Sequence, residues 1–313
     1  MQQLFSRENL CEFVSWSLEV RKVKSLTLNV WLGILHASLR RYPPLKREDL
    51  DYLAALILDL PKDLQAIKNA KRHKWVKYDV LDAVPELIQK EIETGKVSGT
   101  KNVALATQSA LLMRWLTLLP WRQRNLRECK LGSRDEGGNL FKAEIPDFET
   151  VDVPPWAEVA SRLNPKEKFW QFDFRPGETK TGIEVNGFVP QELVPLLEDF
   201  LNYHRSRLVQ GDDPGTLFLN SEGRPFSASG LNSLVGDLTI RYCGKRVNVH
   251  LCRDIFAVEW LKETRDYLTL SKLLWHANVK TTLGTYGAFF DESYGISKLE
   301  EWREKRKKSK PPE

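Results

Sequence analysis

An arginine, two histidines and a tyrosine crowd into residues 249–286, VHLCRDIFAVEWLKETRDYLTLSKLLWHANVKTTLGTY. His250 and Arg253 stand three apart, a spacing that puts both on one face of a helix. Ile255, Phe256, Val258 and Leu261 give that helix a core side. His276 follows, and Tyr286 comes ten residues after it. A cation and an imidazole on a rigid face, a second imidazole and a phenol within reach suit phosphoryl transfer onto the phenol. Attack by a protein hydroxyl on a phosphodiester gathers negative charge on the non-bridging oxygens. Arginine is the preferred clamp for that charge, being planar, permanently charged and bidentate. The leaving oxygen needs a proton, which a lysine on a mobile turn or a histidine can supply. A tyrosine gives a stable but reversible ester, provided that nearby positive charge favours its phenolate.

The elements that must position these groups can be read from periodicity. Residues 7–72 carry helical spacing: Leu10, Phe13 and Val14, then Leu28, Trp31, Leu32, Leu35 and Leu39, then Leu50, Leu53, Ala54 and Ile57, with a short fourth helix before residue 72. The run 68–77, KNAKRHKWVK, has five basic residues besides His73 and reads as a linker. Helices are expected at about 79–94 and 102–119, the second closed by Pro120, and a short one in WRQRNLRECKLG. Three β-rich runs follow at 139–145, 168–174 and 184–190, with turn signals at Gly137-Gly138 and Pro176-Gly177. Further helices are expected near 191–208, 227–242, 249–264, 268–276 and 279–290. The fold class is therefore mainly α with a small antiparallel β-sheet.

Four boxes in this order resemble those of the tyrosine recombinases of the phage integrase family. HLCRDIFAVEWL (250–261) resembles the family's H-x-x-R-H-T-F-A box, and LLWHANVKTTLGTYG (273–287) its L-G-H-x-x-x-x-T-T-x-x-Y box. LPWRQRNLRECKL (119–131) resembles G-x-R-x-x-E-L-x-x-L, and TKTGIEVNGFVP (179–190) the hairpin with the family's β-turn lysine. The resemblance implies a DNA breaking-rejoining catalytic fold preceded by a helical core-binding, SAM-like domain. It implies domains at 1–72 and 79–295, a basic linker at 73–78, and a C-terminal helix and basic tail at 296–313. It also implies six catalytic residues. Tyr286 attacks a DNA phosphodiester, leaving a 3′-phosphotyrosyl bond and a free 5′-hydroxyl. Arg122 and Arg253 stabilise the phosphate, Lys180 protonates the leaving oxygen, His250 assists proton transfer and His276 hydrogen-bonds a non-bridging oxygen. Two departures stand out: Trp275 replaces the Gly before the second histidine, and Asn125 stands where an acidic residue usually sits.

The expected partner is double-stranded DNA, and the expected assembly is a homotetramer on paired DNA sites and a monomer or dimer without DNA. Lys71, Arg72, Lys74 and Lys77 of the linker and Arg124 near the first arginine are the expected phosphate contacts. A type IB-like topoisomerase or resolvase uses the same chemistry, and a DNA-binding accessory protein with weak catalysis is the alternative that Asn125 favours. No phosphate loop or dinucleotide fingerprint occurs, and the covalent ester stores the bond energy, so no cofactor or metal is expected. The net charge of +5, from 47 basic and 42 acidic residues, permits a polyanionic partner without demanding one. Cys11, Cys129, Cys243 and Cys252 lack metal-ligand spacing and read as reduced and mostly buried. The first ten residues, MQQLFSRENL, hold no signal-peptide core, and the most apolar run, 110–121, is broken by Arg114. A cytoplasmic location without membrane attachment is expected.

Overall fold

The computed structural model describes residues 6–41, 47–60, 74–145, 153–287 and 293–308. They divide into two compact units, Met1–His73 and Lys74–Glu313.

The first unit is helical. Helix α1 (Arg7–Ser15) runs into a wider π turn at Trp16–Val20, and α2 (Ser25–Leu39) and α3 (Arg47–Asp59) follow. Ser6 caps α1 by accepting from the Asn9 amide at 3.3 Å, as a short hydroxyl side chain does at an orphan helix start. Leu10, Val14, Leu28, Leu32, Leu39, Leu53 and Leu60 form its core. The short fourth helix expected before residue 72 lies outside the described residues.

The second unit is built around one helix. Helices α4 (Tyr78–Asp82) and α5 (Val84–Glu93) lead to α6 (Thr100–Leu118), whose residues 107–117 are all buried. A helix buried on every side shows no single apolar stripe. The arginine that interrupts its apolar run, Arg114, is neutralised by Asp82 at 2.7 Å and by Glu86. Trp75 and Val76, read from the sequence as linker, pack into this core instead. Lys245 also donates to the Trp75 carbonyl at 2.9 Å. A valine and a tryptophan amid basic residues have apolar surface to bury, and the core takes it.

After α7 (Gln123–Arg127) come β1 (Leu140–Ala143), α8 (Pro155–Leu163), β2 (Phe169–Phe174) and β3 (Val185–Phe188). The strands form an antiparallel sheet in the order β1-β2-β3, with Lys142 opposite Trp170 and Phe172 opposite Gly187. Gly187 is required: a Cβ there would meet the Phe172 ring at 3.0 Å. Helix α8 was not expected from the sequence. Its signal was Pro155, which suits a first helical turn, and its Trp156 packs on Phe169 and Phe188.

The remaining elements are α9 (Val194–Asp199) with a π turn at Phe200–His204, α10 (Ala228–Cys243), α11 (Val249–Thr264), α12 (Tyr267–Leu273), α13 (Val279–Tyr286) and α14 (Ser293–Lys308). Asn248, Asp266 and Asn278 cap α11, α12 and α13, accepting from the amides of Leu251, Thr269 and Lys280 at 2.8, 2.9 and 2.8 Å. These three short polar side chains define where each helix of the 249–286 stretch begins. Cys129 and Cys252 are buried, Cys243 is half-buried and Cys11 is exposed. Among the described residues no helix is long and apolar enough to cross a membrane.

Candidate active site

The four rings of Trp115, Trp121, Phe172 and Trp275 make a floor beneath the site. Trp121 lies 4.8 Å from Trp115 and 4.9 Å from Phe172, and Phe172 lies 5.9 Å from Trp275, the last two pairs edge to face. The chain leaves α6 through Leu119-Pro120-Trp121, and burial of Trp121 places Arg122 just ahead of α7, at its N-cap.

Both candidate arginines are tied to the turn between α12 and α13. Arg253, 3% exposed, donates one guanidinium nitrogen to the Pro120 carbonyl and the other to the Leu274 carbonyl. Arg122 directs both terminal nitrogens at the next carbonyl, that of Trp275, at 3.4 and 3.5 Å. These bonds are long, so an anionic oxygen entering here can take donors from Arg122 at little loss. Burial and the neighbouring Arg122 charge push the Arg253 pKa down to about 10, which leaves it a cation at neutral pH.

Trp275 stands at φ 44, in the left-handed region. The glycine that it replaces would adopt this conformation freely, and a side chain there costs about 1 kcal/mol. The ring's contact with Phe172 offsets that cost and holds the carbonyl that Arg122 meets. Trp275→Gly is therefore expected to lower stability by about 1 kcal/mol in a urea titration, because the lost indole packing outweighs the relieved strain. Trp275→Phe is expected to restore most of it.

His276 follows directly, half-buried, with Nδ1 2.8 Å from the Thr282 hydroxyl. Burial, then Arg253, Arg122 and His250, lower its pKa to about 4. The ring is thus neutral at pH 7. Between its ordinary value near 6.5 and about 4, the unfolded chain binds a proton that the folded chain refuses. This contribution to stability is complete above pH 6.5 and is lost as pH falls toward 4. Chemical denaturation at pH 7 and pH 5 is expected to show a drop that is smaller in His276→Asn.

Tyr286 ends α13 and is 2% exposed. Its hydroxyl donates to Oδ1 of Asp254, 3.0 Å away. Burial and then the Asp254 charge raise the phenol pKa, while Arg253 and Arg122 oppose the shift. His250 is on the same helix as Asp254, with Nε2 4.0 Å from the same Oδ1 and a side chain 72% exposed. Asp254 and Thr282 were not singled out from the sequence. The available signal for Asp254 was an acid four residues after His250, on the same helical face.

The structure thus brings Arg122, Arg253, His276 and Tyr286 to one turn, with His250 at its edge. Lys180 is exposed in the turn between β2 and β3 and makes no described hydrogen bond to that cluster. Arg124 braces this turn: it binds Glu128 at 2.8 Å and donates to the carbonyls of Thr179 and Gly177 at 3.2 and 3.3 Å. Lys74 and Lys77 are exposed, whereas Lys71 and Arg72 lie outside the described residues. Asn125 is buried, and its Nδ2 has no hydrogen-bond partner. Among the described residues no group of three His, Cys, Asp or Glu side chains is placed to hold a metal ion.

Comparison with known proteins points to one family. Residues 161–292 match the model described as the phage integrase family. Tyrosine recombinase XerD of Staphylococcus haemolyticus (strain JCSC1435) is 29% identical over 91 residues, which cover 29% of this chain and 31% of that protein. Tyrosine recombinase XerC of Stutzerimonas stutzeri (strain A1501) is 29% identical over 76 residues, 24% of this chain and 25% of that protein. The matched stretches span a third or less of these relatives. Among solved structures, XerH site-specific recombinase in a post-cleavage complex with palindromic difH substrate superposes over 74% of this chain and 53% of its own, with TM-score 0.49 and 14% identity. The stretch 161–292, which holds Lys180, His250, Arg253, His276 and Tyr286, is thus similar to the phage integrase family.

Proposed function

We propose that this protein is a site-specific DNA recombinase that cuts and rejoins duplex DNA through a 3′-phosphotyrosyl intermediate on Tyr286. The observation that carries the reading is the convergence of Arg122 and Arg253 on successive carbonyls of the turn that runs into His276. Two guanidinium groups from different helices can then hold one phosphate from two sides, and neither depends on the DNA sequence.

In this reading the Tyr286 oxygen attacks phosphorus and the P–O5′ bond breaks. Lys180, on the turn braced by Arg124, donates a proton to the departing 5′-oxygen. Neutral His276, whose Nδ1 is engaged by Thr282, offers Nε2 to a non-bridging oxygen. Lys74 and Lys77 contact backbone phosphates and so contribute affinity without specificity. Strand exchange between two sites uses four protomers.

The test starts from a pool of duplexes with a randomised centre and a nick that lets the short cleaved strand escape. Protein and DNA that stay together in denaturant are isolated, digested and mapped by mass spectrometry. The expected result is a nucleotide on the peptide that contains Tyr286. No denaturant-stable complex, or a nucleotide on Tyr294 instead, would overturn the reading. Relaxation of supercoiled plasmid without site preference would point to a topoisomerase.

A further inference from the structure

We propose that Asp254 accepts the phenol proton of Tyr286 as the phosphotyrosyl bond forms, and passes it on to His250. This rests on the reading of Tyr286 as the nucleophile. Asp254 touches the reacting oxygen itself: the Tyr286 hydroxyl donates to its Oδ1 at 3.0 Å. Tyr286 is 2% exposed and Asp254 4%, so this carboxylate oxygen is a proton acceptor placed on the phenol out of solvent. The same Oδ1 faces His250 Nε2 at 4.0 Å, and His250 is open to water. The carboxylate thus touches the buried phenol, and the exposed imidazole needs only a small rotation to close its 4.0 Å gap to the same oxygen. The residue adjoining Arg253 is a histidine in the family box quoted above, whereas here it is a carboxylate.

Acidity decides when the proton moves. A free phenol and a free carboxylic acid differ by about six pKa units, so transfer before attack is strongly uphill. Transfer during attack is not, because the phenol oxygen becomes acidic as it bonds phosphorus. The step balances: the Tyr286 oxygen–phosphorus bond forms, the P–O5′ bond breaks, the Tyr286 proton goes to Asp254 Oδ1, and Lys180 supplies the proton on the 5′-hydroxyl. Asp254 then gives its proton to His250, whose exposed imidazole can release it to water. Rejoining runs the same path in reverse. The charged groups facing the pair are Arg253 and Arg122, with His250 and His276 beside them. All four are retained when Asp254 is changed to its amide.

The experiment uses a duplex that the full-length protein has selected covalently, made with oxygen or with sulfur at the bridging 5′ position of the scissile phosphate. A sulfur leaving group needs no proton, so that duplex isolates attack from departure. Asp254→Asn keeps the shape and the acceptor oxygen but cannot take the proton. Its adduct formation is expected to be about 100-fold slower at pH 7 on both duplexes, with the deficit shrinking as pH rises to 9 and hydroxide replaces the missing base. Lys180→Ala is expected to be slow on the oxygen duplex only. Asp254→Glu should recover at least a tenth of the rate. His250→Ala changes an exposed residue and should slow adduct formation on both duplexes. Asn-variant cleavage as fast as or faster than the parent's on the sulfur duplex would overturn the proposal and make the contact a latch. A deficit independent of pH, or a Glu variant as slow as the Asn variant, would overturn it as well. Should Asp254→Asn fail to fold, the Glu variant and the His250→Ala rate on the two duplexes decide alone. If the parent protein forms no adduct on either duplex, the nucleophile reading fails rather than the role of Asp254.

Discussion

Tyr286→Phe is expected to bind DNA as the parent does and to form no covalent adduct at any time point. In the proposed mechanism the phenol oxygen is the atom that bonds phosphorus, and phenylalanine offers no oxygen in its place. The change also has a structural signature. Phenylalanine fills the same space, so the core of Ala257, Val258, Leu261, Leu270 and Leu274 around it stays packed. The Asp254 carboxylate, however, loses a hydrogen-bond donor while it stays buried. Loss of one hydrogen-bond donor by a buried acceptor costs about 1 kcal/mol. Urea unfolding should therefore show Tyr286→Phe to be less stable than its conservative shape implies. In Tyr286→Phe with Asp254→Asn, the neutral amide should regain part of that loss. Adduct formation by Tyr286→Phe, read on a denaturing gel, would end the nucleophile assignment.

Arg253→Lys is expected to slow cleavage by about 10²–10³-fold, the usual loss when one donor to a developing oxyanion is removed. Charge is conserved in this substitution, but geometry is not. The guanidinium spans two carbonyls, those of Pro120 and Leu274, and so joins the end of α6 to the turn before His276. An ammonium is a point charge on a flexible stem and cannot hold both in one plane. One carbonyl is left without its donor, at a cost of about 1–3 kcal/mol to the fold. Arg122 meets the adjoining carbonyl of Trp275, so slack in that turn also moves the second clamp. Single-turnover adduct formation and a urea titration measure the two effects separately. A variant with parental stability and a tenfold or smaller rate loss would mean that Arg253 is neither brace nor clamp.

Much of this was legible in the residues. The 3.6-residue spacing in 249–264 and the caps Asn248, Asp266 and Asn278 are local signals, and the helices begin where those side chains satisfy the first amides. The three strands fall within the β-rich runs, since alternation and turn residues act over a few positions. Helix α8 was hidden because its proline reads as a breaker unless it stands in the first turn. Trp75 and Val76 were hidden among lysines, because a basic run masks two apolar side chains that a distant core can bury.

The sequence by itself determined which chemistry was available: two arginines, a lysine, two histidines and a tyrosine, in an order that matches a known family, on helices and a hairpin with readable ends. Tertiary structure decided how those groups meet. Arg122 reaches a carbonyl 153 residues away, and Arg253 one that is 133 residues away. Periodicity tells which face of a helix is apolar, but not which backbone oxygen lies opposite it. The place of Trp275 was likewise beyond the sequence, because the Phe172 ring that offsets its left-handed backbone comes from a distant strand. So was the partner of the phenol. Asp254 became part of the site only when α13 packed against α11 and left the Tyr286 hydroxyl, cut off from water, with a carboxylate 3.0 Å away.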